Sequence, residues 1–248
     1  MDFVRNFRDI VNQNRAPDAA RVTAIVVAAG SGERMNSQIK KQFLHLGGIP
    51  VIARTLSAFE ASRHVSRVVV VTAKEDLVDV ADIIREFGFS KVARIVGGGA
   101  TRQKSAAAGL EAAGKCDYIA VHDGVRPLVS PKCIDRVIEA AFETKAASAA
   151  VKILDTVKRC DEDGYVLDTP ERSSLWSVQT PQVFDRRLYE EALGKAIEGG
   201  FDYTDDCQLI EKLGQPVKLV AGEYTNIKLT TKDDMIFAEA ILRTRGEA

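Results

Sequence analysis

Glycines and cations stand close together near the start of the chain, where Ala28-Ala29-Gly30-Ser31-Gly32-Glu33-Arg34-Met35 follows an apolar run and Lys41 comes shortly after. Small residues let backbone N–H groups approach phosphate oxygens closely. Two cations just beyond such a turn suit a triphosphate whose β and γ groups leave as pyrophosphate, because fixed positive charge stabilises the charge that develops there. A Walker loop needs Gly-Lys-Ser/Thr at its end, and the dinucleotide fingerprint needs a third small residue where Met35 or a neighbour stands; neither fits. Taken alone, the segment also reads as a tight turn followed by a solvated Arg and Lys.

Further along, Asp123 closes an apolar run, where its carboxylate could bind Mg²⁺ directly or through water, or else accept loop N–H bonds. Arg102 and Ser105 stand behind Gly97-Gly98-Gly99, near a helix start, with hydrogen bonds to offer a pyrimidine or its ribose; the bland alternative is a helix-start turn with a solvated Arg. Arg126, Lys158, Arg172 and Lys228 are cations available to a second phosphate, and Thr156 and Thr180 add hydroxyls. His122 reads as a packed strand-end histidine, and His45, His64 and His122 receive no role. Asp205 and Asp206 lie in the first turn of a helix expected to be capped by Thr204, where charge matching to the helix end explains them without catalysis. There is no Ser-His-Asp constellation. None is needed if a phosphate oxygen attacks the α-phosphorus directly, since a phosphate monoester, with a second pKa of about 6, is largely ionised at neutral pH.

These residues need a scaffold that gathers loop ends. Runs at Ile25 to Ala29, Val68 to Val71, Val92 to Val96 and Tyr118 to Val121 alternate with helix-period stretches, the βαβ pattern of a parallel sheet whose chemistry sits at the strand C-terminal ends. Val51, Ile52, Thr55, Leu56 and Phe59 share one helix face, and Ser130-Pro131 is an N-cap followed by proline. After residue 150, Asp163-Gly164 between the strand-like runs Thr156 to Cys160 and Tyr165 to Leu167 predicts a hairpin, and an arm running from Thr156 to Arg172 about that turn would have strands of roughly 20 Å. Strands are expected at Val217 to Val220 and Asn226 to Leu229, and a last helix behind the Thr231/Asp234 capping box. Residues 1–20 read as an amphipathic N-terminal extension, and 21–248 as one domain carrying the arm at about 155–175.

Composition narrows the class. The chain has 248 residues, a formal net charge of -1 and 46% hydrophobic residues. Charges of both signs are interspersed, which predicts no nucleic-acid or anionic-membrane partner. Cys116, Cys133, Cys160 and Cys207 are scattered without a Cys-x-x-Cys pair, so neither zinc nor a disulfide framework is indicated, and a reducing cytoplasm is the expected setting.

Several blocks in order give a specific likeness. Ala28-Ala29-Gly30-x-Gly32-x-Arg34-Met35 with Lys41-Gln42-Phe43-Leu44, then Gly98-Gly99 with Arg102 and Ser105, Val121-His122-Asp123-Gly124-Val125-Arg126-Pro127, Asp155-Thr156-Val157-Lys158, Glu171-Arg172-Ser173-Ser174-Leu175-Trp176, Gln179-Thr180-Pro181-Gln182 and Asn226-Ile227-Lys228-Leu229-Thr230 together resemble the 2-C-methyl-D-erythritol 4-phosphate cytidylyltransferases over about residues 21–245. The resemblance implies a Rossmann-like, mostly parallel sheet with a protruding arm. It implies transfer of a cytidylyl group from CTP to 2-C-methyl-D-erythritol 4-phosphate with Mg²⁺, in non-mevalonate isoprenoid synthesis. It also implies CTP binding by the glycine turn, the Gly98-Gly99 loop and Ser105; the methylerythritol phosphate on Arg172 and Lys228, with Thr156 nearby; and a homodimer in which the arm completes the partner's acceptor site. Ala100, Lys40 (where many members carry proline) and residues 1–20 depart from the pattern. A ribitol 5-phosphate cytidylyltransferase resembles it in the CTP half and differs in the acceptor pocket. A noncatalytic nucleotide-binding regulator is the reading from another class; it would not need cations at both phosphate sites. A dinucleotide-dependent oxidoreductase would show a third glycine and an acidic residue after the second strand.

Overall fold

A computed structural model describes residues 20–30 and 40–247. The expectations for the N-terminal extension, Gly32 and Arg34 fall outside these residues.

The first strand, β1 (Val22–Ala28), shows how the sheet is buried on both sides. Val22, Ala24 and Val26 face one apolar layer while Ile25 faces the other. A parallel strand covered on both faces reads as a continuous apolar run, as this one does. On the first face pack α1 (Val51–Ala61) and α4 (Pro131–Thr144); on the second, α3 (Arg102–Ala112), α5 (Arg186–Glu198) and α6 (Asp206–Lys212). A smaller cluster joins Leu46, Val51, Leu128 and Leu229 to α7 (Lys232–Arg245).

The seven-stranded sheet has the order β11-β7-β10-β6-β1-β4-β5, with β4 at Val65–Thr72, β5 at Val92–Gly97, β6 at Tyr118–Asp123, β7 at Ala146–Lys152, β10 at Trp176–Asp185 and β11 at Lys218–Ala221. Among these strands, β10 alone runs opposite, antiparallel to both β6 and β7. Its start therefore lies at the same edge as the ends of the others. Pairing with β7 shifts register between Val178 and Gln182. Pro181, which has no N–H for a ladder, falls in that interval, so Gln179 and Thr180 can turn to other partners.

Local signals hold where they are strong. The Ser130 hydroxyl accepts from the Cys133 N–H with Pro131 at the first helical position, and the Thr231/Asp234 capping box is complete. Three expectations change. The cap of α6 is Asp205, whose side chain accepts from the Gln208 N–H, with Thr204 one residue outside. Asn226 to Leu229 is a loop, tied sideways by the bond of Leu229 N–H to the Val125 carbonyl rather than by a ladder. The hairpin is shorter than expected: β8 is Arg159–Cys160 and β9 is Val166–Asp168. Its turn spans more than Asp163-Gly164, because the Asp161 carboxylate accepts from the N–H groups of both Asp163 and Tyr165. The short ladder is irregular between Arg159 and Cys160.

Candidate active site

Three strand ends and a helix start meet at one point. A Cβ on Gly98 would stand 2.5 Å from the Ala29 Cβ and 2.8 Å from the Ser105 Oγ, and one on Gly124 would stand 2.8 Å from the Ala28 Cβ. Glycine at these two positions is thus what allows the turn after β1, the loop after β5 and the end of β6 to touch. Ser105 is itself tied down: its hydroxyl accepts from the Gly99 N–H at 3.2 Å and donates to the Thr101 carbonyl at 2.9 Å.

At the end of β6, Asp123 is the focus of three cations. Its carboxylate receives Arg102 Nε at 3.2 Å, Arg126 Nε at 3.4 Å and Lys228 Nζ at 3.0 Å. Burial alone would raise its pKa, but the charges of Arg102, Lys228 and Arg126 outweigh it and hold the group well below the usual carboxylate range. The cations are positioned in turn. Arg102 Nη1 reaches Asp206 at 2.6 Å, and Asp206, 1% exposed, also accepts from the Tyr189 hydroxyl at 2.7 Å. Burial lowers the Arg102 pKa and the charges of Asp206 and Asp123 more than restore it, so the guanidinium is held above its ordinary value. Arg126 Nη1 donates to the Asn226 carbonyl at 2.9 Å, and Asn226 Nδ2 donates to the Thr180 carbonyl at 2.8 Å.

The Thr180 hydroxyl accepts from the Asp123 N–H at 3.1 Å and faces His122 Nδ1 at 3.0 Å. Its own proton therefore goes to Nδ1, leaving Nε2–H toward the Arg126 carbonyl at 3.4 Å. His122 is wholly buried, which pushes its pKa down to about 3 and keeps it neutral. A neutral ring bonded on both sides holds the end of β6, which agrees with the sequence reading that gave it no catalytic part.

Lys41 lies in a 3₁₀ turn (Lys41–Phe43), with its Nζ 2.6 Å from the Thr230 carbonyl. It thus comes to the segment that carries Lys228. Arg172 and Thr156 stand apart on the exposed arm, where Arg172 Nη1 donates to the Leu154 carbonyl at 3.0 Å and Lys158 Nζ to the Thr169 hydroxyl at 2.7 Å. The fold therefore gathers Ala28, Ala29, Gly30, Gly98, Gly99, Arg102, Ser105, Asp123, Arg126, Thr180 and Lys228, and leaves Thr156 and Arg172 outside that group. Sequence reasoning missed Asp206: it is in the first turn of α6 as expected, but its carboxylate serves Arg102 rather than the helix end. The run Thr204-Asp205-Asp206 offered two acids for one cap, and that surplus was the available signal. Asn226 was read as a strand residue and instead ties Arg126 to β10.

Residues 22–244 match the family described as 2-C-methyl-D-erythritol 4-phosphate cytidylyltransferase. A relative of that name from Caldanaerobacter subterraneus is 43% identical over 224 residues, covering 90% of this chain and 99% of its own. Another, from Geobacillus kaustophilus, is 44% identical over 222 residues, covering 90% and 97%. Among solved structures, the 4-diphosphocytidyl-2C-methyl-D-erythritol synthase of Anaerococcus prevotii is similar with a TM-score of 0.81 at 37% identity, covering 91% of this chain and 100% of that one. The 2-C-methyl-D-erythritol 4-phosphate cytidylyltransferase of Thermus thermophilus is similar with a TM-score of 0.72 at 34% identity, covering 90% and 99%.

Proposed function

The chain belongs to the 2-C-methyl-D-erythritol 4-phosphate cytidylyltransferase family, and from that premise we propose how its residues divide the transfer of a cytidylyl group from CTP to 2-C-methyl-D-erythritol 4-phosphate. The turn at Ala28, Ala29, Gly30 and Gly32, with Gly98, Gly99, Arg102 and Ser105, receives CTP. Small residues there let backbone N–H groups approach base and phosphates closely. Arg34 and Lys41 neutralise the charge that builds on departing pyrophosphate. Lys228 and Arg126 orient the attacking phosphate, which Arg172 and Thr156 hold from the arm, and Thr180 keeps one lone pair for the same pocket. The attacking oxygen is already anionic, so the protein supplies alignment and charge rather than a base. The observation that carries this division is the convergence of Arg102, Arg126 and Lys228 on Asp123 beside the Gly98 loop.

Mg²⁺ fits this donor set. Asp123 is an ionised oxygen ligand, and a single carboxylate suits an ion that takes most of its shell from phosphates and water. Asp123 would hold the ion, which would supply positive charge to triphosphate oxygens, while Arg102, Arg126 and Lys228 line the same place as fixed cations for substrate phosphates.

The arm supports a homodimer. Leu154, Tyr165, Val166 and Leu167 are 57–73% exposed along it. A two-stranded hairpin is marginal alone, so a second copy covers it and receives Arg172 and Thr156 at its acceptor site. Residues 21–248 then act as one catalytic unit with an extending arm, working in the cytoplasm.

The testing experiment is a pyrophosphate-release panel crossing four nucleotides with several polyol phosphates. CTP with methylerythritol phosphate is expected to lead; preference for ribitol 5-phosphate would move the assignment to that acceptor. For the shared site, Arg172→Ala and Lys41→Ala subunits are mixed under exchange. A mixed dimer then holds one site with both defects and one with neither, so activity returns toward half per mixed dimer. Verified exchange without recovery would remove the arm from the partner's site.

A further inference from the structure

Asp76 occupies the position just before α2 (Leu77–Phe87), where an aspartate ordinarily accepts a backbone N–H from the first turn, a bond worth about 1 kcal/mol. It makes no such bond. Asp76 is 5% exposed, and its carboxylate turns instead to the segment of Lys40 and Gln42. There both of its oxygens receive Lys40 Nζ at 2.8 Å, and one receives Gln42 Nε2 at 3.3 Å. Glu75 also meets Lys40 at 2.8 Å, but its side chain is 70% exposed, so that contact adds little.

The two donors flank Lys41. A helix cap is a local gain that any short loop can recover through water, whereas these bonds join segments more than thirty residues apart. Gln42 is 1% exposed, so its amide has few other partners to choose from. A single acceptor gripping the residues on both sides of Lys41 fixes the backbone from which that side chain extends. A proline at position 40 could supply no such donor.

We infer that Asp76 is a positioning residue for Lys41: it forgoes capping its own helix and holds Lys40 and Gln42, which sets where the Lys41 ammonium can reach at the strand ends. This rests on the leaving-group role proposed for Lys41. Asp76 touches no reacting atom; it acts through the lysine.

The test is a double-mutant cycle in turnover and in both Michaelis constants, with thermal midpoints recorded for each protein. Asp76→Asn keeps the shape and one acceptor oxygen but loses the charge. It is expected to lower kcat about tenfold with both KM values within about twofold. In the Lys41→Ala background it should cost no more than about twofold, because the residue it acts through is gone. Losses that multiply in the double variant, or an Asp76→Asn enzyme at wild-type kcat, overturn the inference. If Asp76→Asn does not fold, Lys40→Met carries the same cycle, since the Lys40 side chain is 27% exposed and its replacement leaves Asp76 bonded to Gln42. There too, a kcat loss that vanishes without Lys41 supports the assignment, and a multiplicative or absent loss defeats it. An unchanged kcat in Lys41→Ala alone would instead sink the role of Lys41, so the two failures are distinguishable.

Discussion

The end of β6 and the hairpin arm are organised by opposite means. At β6, Asp123, Arg102, Asp206 and Tyr189 form a continuous buried chain of charged and hydroxyl partners, each fixed by the next. On the arm, Arg172 has one backbone partner, the ladder is two or three residues long, and apolar side chains face outward. The first region is organised by the fold of its own chain. The second lacks such burial, and its Arg172 and Thr156 stand exposed. Under the proposed division, the nucleotide half is held by the chain's own contacts and the acceptor half is left to assembly.

The sharpest way to break this contrast is Asp206→Ala. It leaves the Arg102 guanidinium mostly buried with one carboxylate instead of two, and removing a partner from such a pair costs about 3 kcal/mol or more. Urea unfolding should show that loss. A change under about 1 kcal/mol would mean that the buried chain is not what rigidifies the site.

Next in size, Arg172→Lys keeps the arm's charge but loses the planar fork that can hold two phosphate oxygens. The acceptor KM should rise about tenfold, the worth of one charge-assisted hydrogen bond, while the CTP KM stays put. A rise confined to CTP would place Arg172 in the rigid half.

Acid should act on the buried region first. His122 has a folded pKa of about 3 against an ordinary value near 6.5, so between these limits the unfolded chain binds more protons than the folded one. Stability therefore falls as pH drops from about 6.5 toward 3, by up to about 1.4 kcal/mol per unit in mid-window. Asp123, depressed below its ordinary 3.8, adds to the loss at the acid end. Unfolding midpoints measured at pH 7, 6 and 5 should fall for the wild type and fall less steeply for His122→Asn; equal slopes would show that His122 is not the group that titrates.

The smallest effect is expected on the arm. Gly164 has φ of 86°, so Gly164→Ala strains the turn by about 1 kcal/mol. In a wholly cooperative domain of this size that would lower the melting temperature by roughly 2–4 °C. If the arm is energetically separate, the midpoint of the isolated protomer stays within about 1 °C, and the acceptor KM moves instead.

Legibility in the sequence followed the range of the interactions. The apolar face of α1, the Ser130-Pro131 start and the Thr231/Asp234 box each depend on residues within one or two turns, and all were readable. β7 was not, because Ala146-Ala147-Ser148-Ala149-Ala150 has the composition of a helix and becomes a strand only between β10 and β11. β10 was hidden by Pro181. The candidate site residues stand in ordered motifs that the sequence displays, but their partners do not. Arg102 meets Asp206 across 104 residues and Lys41 meets Thr230 across 189, and no local pattern marks such pairs. The arm was visible as a turn signal, yet its ladder length was set by an Asp161-centred turn that took up residues counted as strand.

The reversed strand has a kinetic consequence. β7 pairs only with β10 and β11, and β10 alone joins that pair to β6, so the sheet is two fragments until residues 176–185 insert between them. The parallel half, β6-β1-β4-β5, can assemble in chain order as βα units. Closure must wait for a segment more than fifty residues beyond β6, and such long-range pairing is slow. Thr180 travels on that segment and brings the hydroxyl that fixes the Asp123 backbone. During refolding, nucleotide binding should therefore return with the last phase of sheet formation, well after the glycine turn at the end of β1 has a strand to follow.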